Sequence, residues 1–283
     1  MTRSSNITKP KRSYADATLK ILFTLSGNEC AHPDCDQSVI QDSTTLSPDK
    51  VVGQICHVYA SSDAGPRGNP KLTDKERNAP ENLLIFCPTH HVIVDGQHET
   101  YPATLLIEWK KKHERKYRSQ MSSKINDLGY AELELAAQAL ASGTHTAVGD
   151  LSNIPIQDKI VKNRLGSAVA WLLTLGSSKS AETARMLEKA AQLDAGFPER
   201  LKSGFVVKYL ELNTQGLSGD EVFFALYDWA AGMKYTEMRK LAGLCILAHL
   251  FIMCDIFEKY HGHRALKICH NAVFDAGEQR VRV

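Results

Sequence analysis

Residues 86–95 read FCPTHHVIVD, and four of them, Cys87, His90, His91 and Asp95, are groups that can hold a metal ion. The partners they need lie upstream. Cys30-x4-Cys35 sits in a knuckle-like loop, and Cys87-x2-His90 follows after 51 intervening residues. Two short-spaced pairs of sulfur and nitrogen ligands, brought together by a fold, are what a tetrahedral structural Zn²⁺ site requires. Thiolate and imidazole suit Zn²⁺ better than Mg²⁺. The bland alternative is four unrelated residues, since buried cysteines are common. Cysteines closely spaced in polar, turn-forming loops are nevertheless poor core candidates, so the zinc reading is preferred.

That reading uses His90 and leaves His91. Neighbours on a helix point about 100° apart, so the two histidines can serve different sites. His91 and Asp95 are four residues apart and share one helix face, where they can hold a divalent cation. Alone, such a pair would be an ordinary exposed one. Its context is the order His57-x24-Asn82-x8-His91, with His57 on a candidate strand and Asn82 opening the next.

Four ordered blocks, SGNECAHPDC, VVGQICHVYASSDAGPRGNP, NLLIFCPTHHVIVDG and TYPATLLIEWKKKHE, resemble an HNH endonuclease domain over about Arg12 to Glu114. The resemblance implies a two-strand hairpin, a helix and a metal. It implies that His57 is the general base activating water for attack on phosphorus. It also implies that Asn82 either ligates the metal or ties down the loop bearing the base. His91 with Asp95 becomes the catalytic metal-ligand pair, for Mg²⁺, Mn²⁺ or Ni²⁺. Cys30, Cys35, Cys87 and His90 match the zinc knuckle of many members. The residue types suit the chemistry. A neutral imidazole accepts a proton near pH 7, and a divalent ion stabilises charge on the leaving oxygen.

One position departs from the pattern. Many HNH domains carry an acid or another histidine just before the base, and here that residue is Cys56. Gln54 or water can fill in as ligand. Cys56 itself is either a ligand for a soft metal or a buried strand thiol, with the thiol preferred. Arg67, in GPRGNP, is either a phosphate contact or a plain loop charge. His113 could support the site, with packing or exposure preferred; His32 is expected to face solvent, and His98, His145, His261, His263 and His270 to lie on the surface.

The elements that must position these groups are readable from pattern. YADATLKILFTL (14–25) has helical spacing, and VVGQICHVYA (51–60) and ENLLIFC (81–87) read as strands. The HH segment opens a short helix. Pro102 starts another, through about residue 118, with Leu105, Leu106 and Trp109 on one face. The predicted class is α+β. An N-terminal ββα-metal domain with its zinc knuckle spans 1–120, and a helix and linker span 121–155. A mainly α-helical domain spans 156–283, with helices over 157–175, 180–192, 200–213, 219–232 and 236–259. A capping box, Ser218 to Glu221, should open the fourth of these, and Gly216 should stop the third. The aromatic run Phe223, Phe224, Leu226, Tyr227 and Trp229 is either core or a docking face.

The chain has 283 residues and a net charge of +2, so global charge says little about partners. Local charge says more. Residues 1–12 carry Arg3, Lys9, Lys11 and Arg12 without an acid, and KKKHERKYR (110–118) carries six basic residues against one Glu. Such stripes fit a phosphate backbone or a solvated helix face. No signal-peptide core opens the chain, and LAGLCILAHLFIMCDIF (241–257) is short for a membrane span, so the expectation is a cytoplasmic protein with no membrane partner. Seven cysteines then read as thiols or metal ligands, and Cys245, Cys254 and Cys269 are too scattered for a further site.

GLSGDEVFFALYDWA and LAHLFIMCDIFE are similar to the C-terminal domains on effectors of bacterial three-component conflict systems built around an ABC-type ATPase. The two resemblances together imply an antiphage effector that cuts duplex DNA and docks on an ABC-type ATPase or another defence protein. Self-association of the helical half stays open. The alternatives are a non-catalytic zinc module that binds nucleic acid or protein, and a nuclease that cuts RNA.

Overall fold

In the computed structural model the described residues are 14–141, 156–232, 236–253 and 257. The basic residues 1–12, the linker from 142 to 155, Cys254, Cys269, His145, His261, His263 and His270 lie outside them. The protein is α+β, with a small sheet content at its N-terminal end and helices after it.

Helix α1 (Asp16–Ser26) leads into the cysteine loop, and a short antiparallel hairpin follows, β1 (Ile40–Gln41) against β2 (Lys50–Val51). Strand β3 (Gln54–His57) pairs antiparallel with β4 (Leu83–Phe86), Cys56 opposite Leu84 and His57 opposite Leu83. Only four residues of each expected strand join the ladder. Successive strand residues face opposite sides, and each side has its own small core. Cys56, Leu84 and Phe86 pack with Val94 and Leu106, while Leu83 and Ile85 pack with Leu22 and Val39. The connection between β3 and β4 contains the short helix α2 (Asp74–Arg77) and a turn, Pro80–Asn82. Helix α3 (Pro88–Gly96) lies against β3, and α4 (Ala103–Asn126) runs well past the expected stop near residue 118.

Helices α5 (Tyr130–Leu140), α6 (Ile156–Lys162), α7 (Ser167–Ser177), α8 (Ser180–Leu193), α9 (Phe197–Thr214), α10 (Asp220–Ala231) and α11 (Glu237–Met253) form the helical part. The central element is α11, buried continuously from Leu241 to Phe251, as the apolar run required. Among the described residues no helix is long and apolar enough to cross a membrane. The aromatic run on α10 is core: Phe223, Phe224, Leu226 and Tyr227 are buried.

Three expectations need correction. The helix expected over 157–175 is two helices, because Arg164 takes a left-handed φ of 55° and the Gly166 N–H donates to Asp220 Oδ1 at 2.7 Å. A carboxylate on α10 thus caps α7, a partner too distant in sequence to be foreseen. The Ser218 hydroxyl does not cap α10; only the reverse bond, Ser218 N–H to Glu221 Oε2 at 3.4 Å, forms. Finally, the helix expected within 121–155, α5, belongs with the helical core. Leu133, Ala136, Ala137 and Leu140 sit in the helical core, and Ile21 and Leu25 of α1 join them with Met121 and Ile125 of α4. Lys20–Asp228 (2.7 Å) and Lys124–Glu237 (2.6 Å) also tie α1 and α4 to the helical part.

Helices α10 and α11 touch closely at Gly243, where an added Cβ would lie 2.8 Å from the Ala230 carbonyl carbon and oxygen. Gly243→Ala should therefore destabilise the fold by about 1–3 kcal/mol in chemical denaturation. An unobstructed helical glycine would instead be stabilised by about 1 kcal/mol on the same change.

Candidate functional site

Helix α3 carries two groups of ligating side chains. Cys87 is its N-cap and Pro88 its first residue, a position where a missing N–H costs nothing. The Cys87 sulfur accepts the His90 N–H at 3.5 Å, and the Cys30 sulfur accepts the Cys87 N–H at 3.2 Å. These bonds aim both sulfurs inward at the mouth of the helix. Cys87 Sγ lies 3.3 Å from His90 Nδ1, Cys30 Sγ 3.7 Å from the same nitrogen, and Cys35 Sγ 4.0 Å from Cys87 Sγ.

All four ligand atoms of Cys30, Cys35, Cys87 and His90 lie within 4.8 Å of one another. Tetrahedral Zn²⁺, with Zn–S near 2.3 Å and Zn–N near 2.0 Å, requires ligand separations of about 3.5–3.8 Å. The observed spacing fits that ion, and it is far too long for a disulfide, whose sulfurs are about 2.05 Å apart. Burial is the main cause that pushes the Cys30 thiol up to about 12; backbone hydrogen bonds from Cys87 and His32 oppose it, and the neighbouring Cys35 and Cys87 thiols add to it. A divalent cation is what would hold these sulfurs as thiolates. His32, expected to face solvent, instead stacks on the His90 ring at 3.9 Å and meets the edge of Trp109 at 4.8 Å. It braces the imidazole ligand from outside. Burial, then the neighbouring His90, lowers its pKa.

The second group is Cys56, His91 and Asp95, whose ligand atoms also lie within 4.8 Å of one another. His91 Nε2 is 3.8 Å from Asp95 Oδ2, and Cys56 Sγ is 3.5 Å from Asp95 Oδ1. The structure thus brings His91 and Asp95 to the strand residue before His57. His57 itself turns to the other side of β3, 6% exposed, with its ring 6.0 Å from that of Tyr14. Gln54 is exposed at the start of β3 and is outside the group.

Asn82 does not join the group either. Its Oδ1 accepts the Tyr59 N–H at 2.9 Å, and its Nδ2 donates to the carbonyls of Tyr59 (2.8 Å) and Arg77 (2.9 Å). Of its two expected roles, the geometry carries the tying of the loop after β3, not metal ligation.

The phosphate-contact expectation for Arg67 gives way to an internal role. The guanidinium is 4% exposed. It donates to the carbonyls of Val58 (2.9 Å), Val94 (3.0 Å), Tyr101 (3.4 Å) and His57 (3.1 Å), and to Asp95 Oδ1 at 2.5 Å. Its backbone takes φ of 58°, and the next residue must be glycine, since a Cβ on Gly68 would sit 2.0 Å from the Asp63 carbonyl oxygen. Arg77 does the same for the rest of the loop, donating to the carbonyls of Leu72, Ala60 and Asn69 and to the Asp63 carboxylate. Sequence reasoning missed both arginines as scaffolding. Their partners are mostly backbone carbonyls, which leave no residue-type signature; the only signal was the glycine beside Arg67. His113 of α4 donates from Nε2 to the Ser26 carbonyl at 2.8 Å and so closes the end of α1, away from either group.

Residues 131–258 match the family model described as C-terminal domain 10 of the ABC-three component (ABC-3C) systems. The match begins in α5 and covers the helical part, so that part is similar to domains from ABC-3C systems. No curated protein matches the chain.

Two outcomes follow from this geometry. The full chain should retain one equivalent of zinc through gel filtration, and Cys87→Ser should lose it while the helical part keeps its circular dichroism; elemental analysis reads the first and far-ultraviolet spectra the second. Arg67→Met should cost on the order of 3 kcal/mol in chemical denaturation, because it leaves the Asp95 carboxylate and several buried carbonyls unpartnered.

Proposed function

We propose that the N-terminal unit is a metal-dependent HNH endonuclease that hydrolyses phosphodiester bonds of duplex DNA. In this reading the chain is an effector of a bacterial antiphage system. Its helical part would hold it to, or restrain it with, an ABC-type ATPase or another component of that system. The observation that carries the nuclease reading is the antiparallel pair β3–β4 with α3 packed on it, which sets His91 and Asp95 beside the strand that ends in His57. The match of residues 131–258 to an ABC-3C domain supports the defence context.

Neutral His57 accepts a proton from water as the water oxygen forms its bond to phosphorus. The opposite P–O bond breaks and the sugar oxygen leaves with the electron pair. A divalent cation, when bound, stabilises the charge that develops on the phosphoryl and leaving oxygens. His91 and Asp95 would hold it. Asn82 keeps the segment after His57 in place through Tyr59, and Arg67 fixes the end of α3 and the His57 carbonyl. Phosphate contacts bring no sequence information, so a cutter of this kind would need restraint from its partners.

The burial of His57 beside Tyr14, together with the Arg67–Asp95 pair, favours a second reading, a zinc-containing module that binds nucleic acid or protein without cutting. Purified chain with supercoiled plasmid and Mg²⁺, Mn²⁺ or Ni²⁺ separates the two. Nicking is expected, and His57→Ala should reduce it by about 10²–10⁴-fold while the chain still folds and keeps its zinc. Undiminished nicking by the variant would remove His57 as the base. One tight zinc, no second cation and no nicking would favour the binding module. Cleavage confined to an RNA arm of the same assay would change the substrate.

A further inference from the structure

The residue before the proposed base is a thiol that shares a site with a histidine and a carboxylate. We infer that Cys56, His91 and Asp95 form a mixed sulfur–nitrogen–oxygen site that takes a borderline transition-metal dication, such as Fe²⁺, Co²⁺, Ni²⁺ or Zn²⁺, in preference to Mg²⁺. The inference rests on the nuclease reading only in supposing that the ion here is the catalytic one.

The three ligands come from two elements held rigidly together. Cys56 is in register opposite Leu84 in the β3–β4 pair, and its sulfur is fully buried against α3. His91 and Asp95 sit one turn apart on α3, half-buried, on the side that faces the strand. Their ligand atoms converge within 4.8 Å, so one ion can touch all three without a change of fold. Three protein ligands leave coordination positions for water or a phosphate oxygen, the arrangement of a catalytic rather than a structural site. Charge also fits. A thiolate and a carboxylate offset a dication; the Arg67 guanidinium, bonded to Asp95 Oδ1 and 3.9 Å from the sulfur, adds a positive charge, so the ion must be reached through Asp95 Oδ2. The thiol proton leaves to solvent when the ion binds.

Ligand chemistry then selects the ion. Mg²⁺ demands near-octahedral oxygen coordination and dehydrates reluctantly. Thiolate and imidazole favour softer ions further along the first transition series. An aspartate in place of Cys56 would leave Mg²⁺ competitive; a sulfur does not. The bland reading of the same distances is a buried thiol that donates a weak hydrogen bond to Asp95 at 3.5 Å.

Titration of the full chain with Co²⁺ decides between them, after elemental analysis shows one zinc per chain in the Cys30–Cys35–Cys87–His90 group. The expected result is a second bound equivalent with a near-ultraviolet sulfur-to-cobalt charge-transfer band, the zinc count staying constant. Millimolar Mg²⁺ should leave the band in place. Cys56→Ser should keep its zinc, lose the band and bind Co²⁺ at least about tenfold more weakly. Cys56→Asp should also lose the band but admit Mg²⁺. Cobalt binding without the band, a band retained in Cys56→Ser, displacement by Mg²⁺, or no second equivalent would each overturn the inference. The nuclease reading fails separately. A band without His57-dependent cleavage keeps this site and removes the hydrolase, and Mg²⁺-driven, His57-dependent cleavage without a band does the reverse.

Discussion

A single buried guanidinium closes the N-terminal unit. Arg67 reaches back from a tight loop and bonds to the end of β3, the end of α3, the segment before α4 and the Asp95 carboxylate. The two apolar clusters beside the β3–β4 pair are small, and a unit of this size buries too little apolar surface to be held by that alone. Polar devices supply the rest. Arg67 and Arg77 fold the loop between the strands, Asn82 pins its exit, and the cysteine–histidine group staples the N-terminal loop to α3. The guanidinium nitrogens of Arg67 and Arg77 and the amide of Asn82 all find acceptors, which matters because an unpaired buried charge would cost several kcal/mol. The same device constrains the chemistry. One oxygen of Asp95 is taken by Arg67, so the other is the one facing His91.

Helix α3 is nine residues long and serves both groups of ligands. His90 and His91 are adjacent, and the helical rotation of about 100° sends one to each. Fixing His90 against Cys30 and Cys87 therefore fixes the rotation of α3 about its axis. That rotation decides where His91 and Asp95 stand relative to β3. A zinc in the first group would thus set the geometry of the second without touching it.

The convergence of Cys30, Cys35, Cys87 and His90 was legible in the chain because each half of the group is local and its spacing is characteristic. The helical nature of the C-terminal part, and its likeness to ABC-3C domains, were legible from apolar periodicity and a few aromatic stretches. Other features were not. Cys56 looked like core because burial and ligation make the same demand for a small, apolar-tolerant side chain; it is buried and stands beside His91 and Asp95. Arg67 looked like a loop charge because carbonyl acceptors carry no sequence mark. The break between α6 and α7 depends on Asp220, more than fifty positions away. The place of α5 in the helical core was masked by the polar stretch after it, which grouped that helix with a linker.

Helices α1 and α4 each show one apolar flank to the N-terminal unit and another to the helical core: Leu22 and Leu106 on one side, Ile21, Leu25, Met121 and Ile125 on the other. The seam between the two halves therefore does not coincide with the start of the family match at residue 131. For recombination this is a constraint on where genes can be spliced. A helical module moved to a new effector at residue 131 would arrive with its α1–α4 groove bare. Its new neighbour would have to bring two helices of matching apolar pattern, so exchange of this part between effectors should favour partners that already carry such a pair.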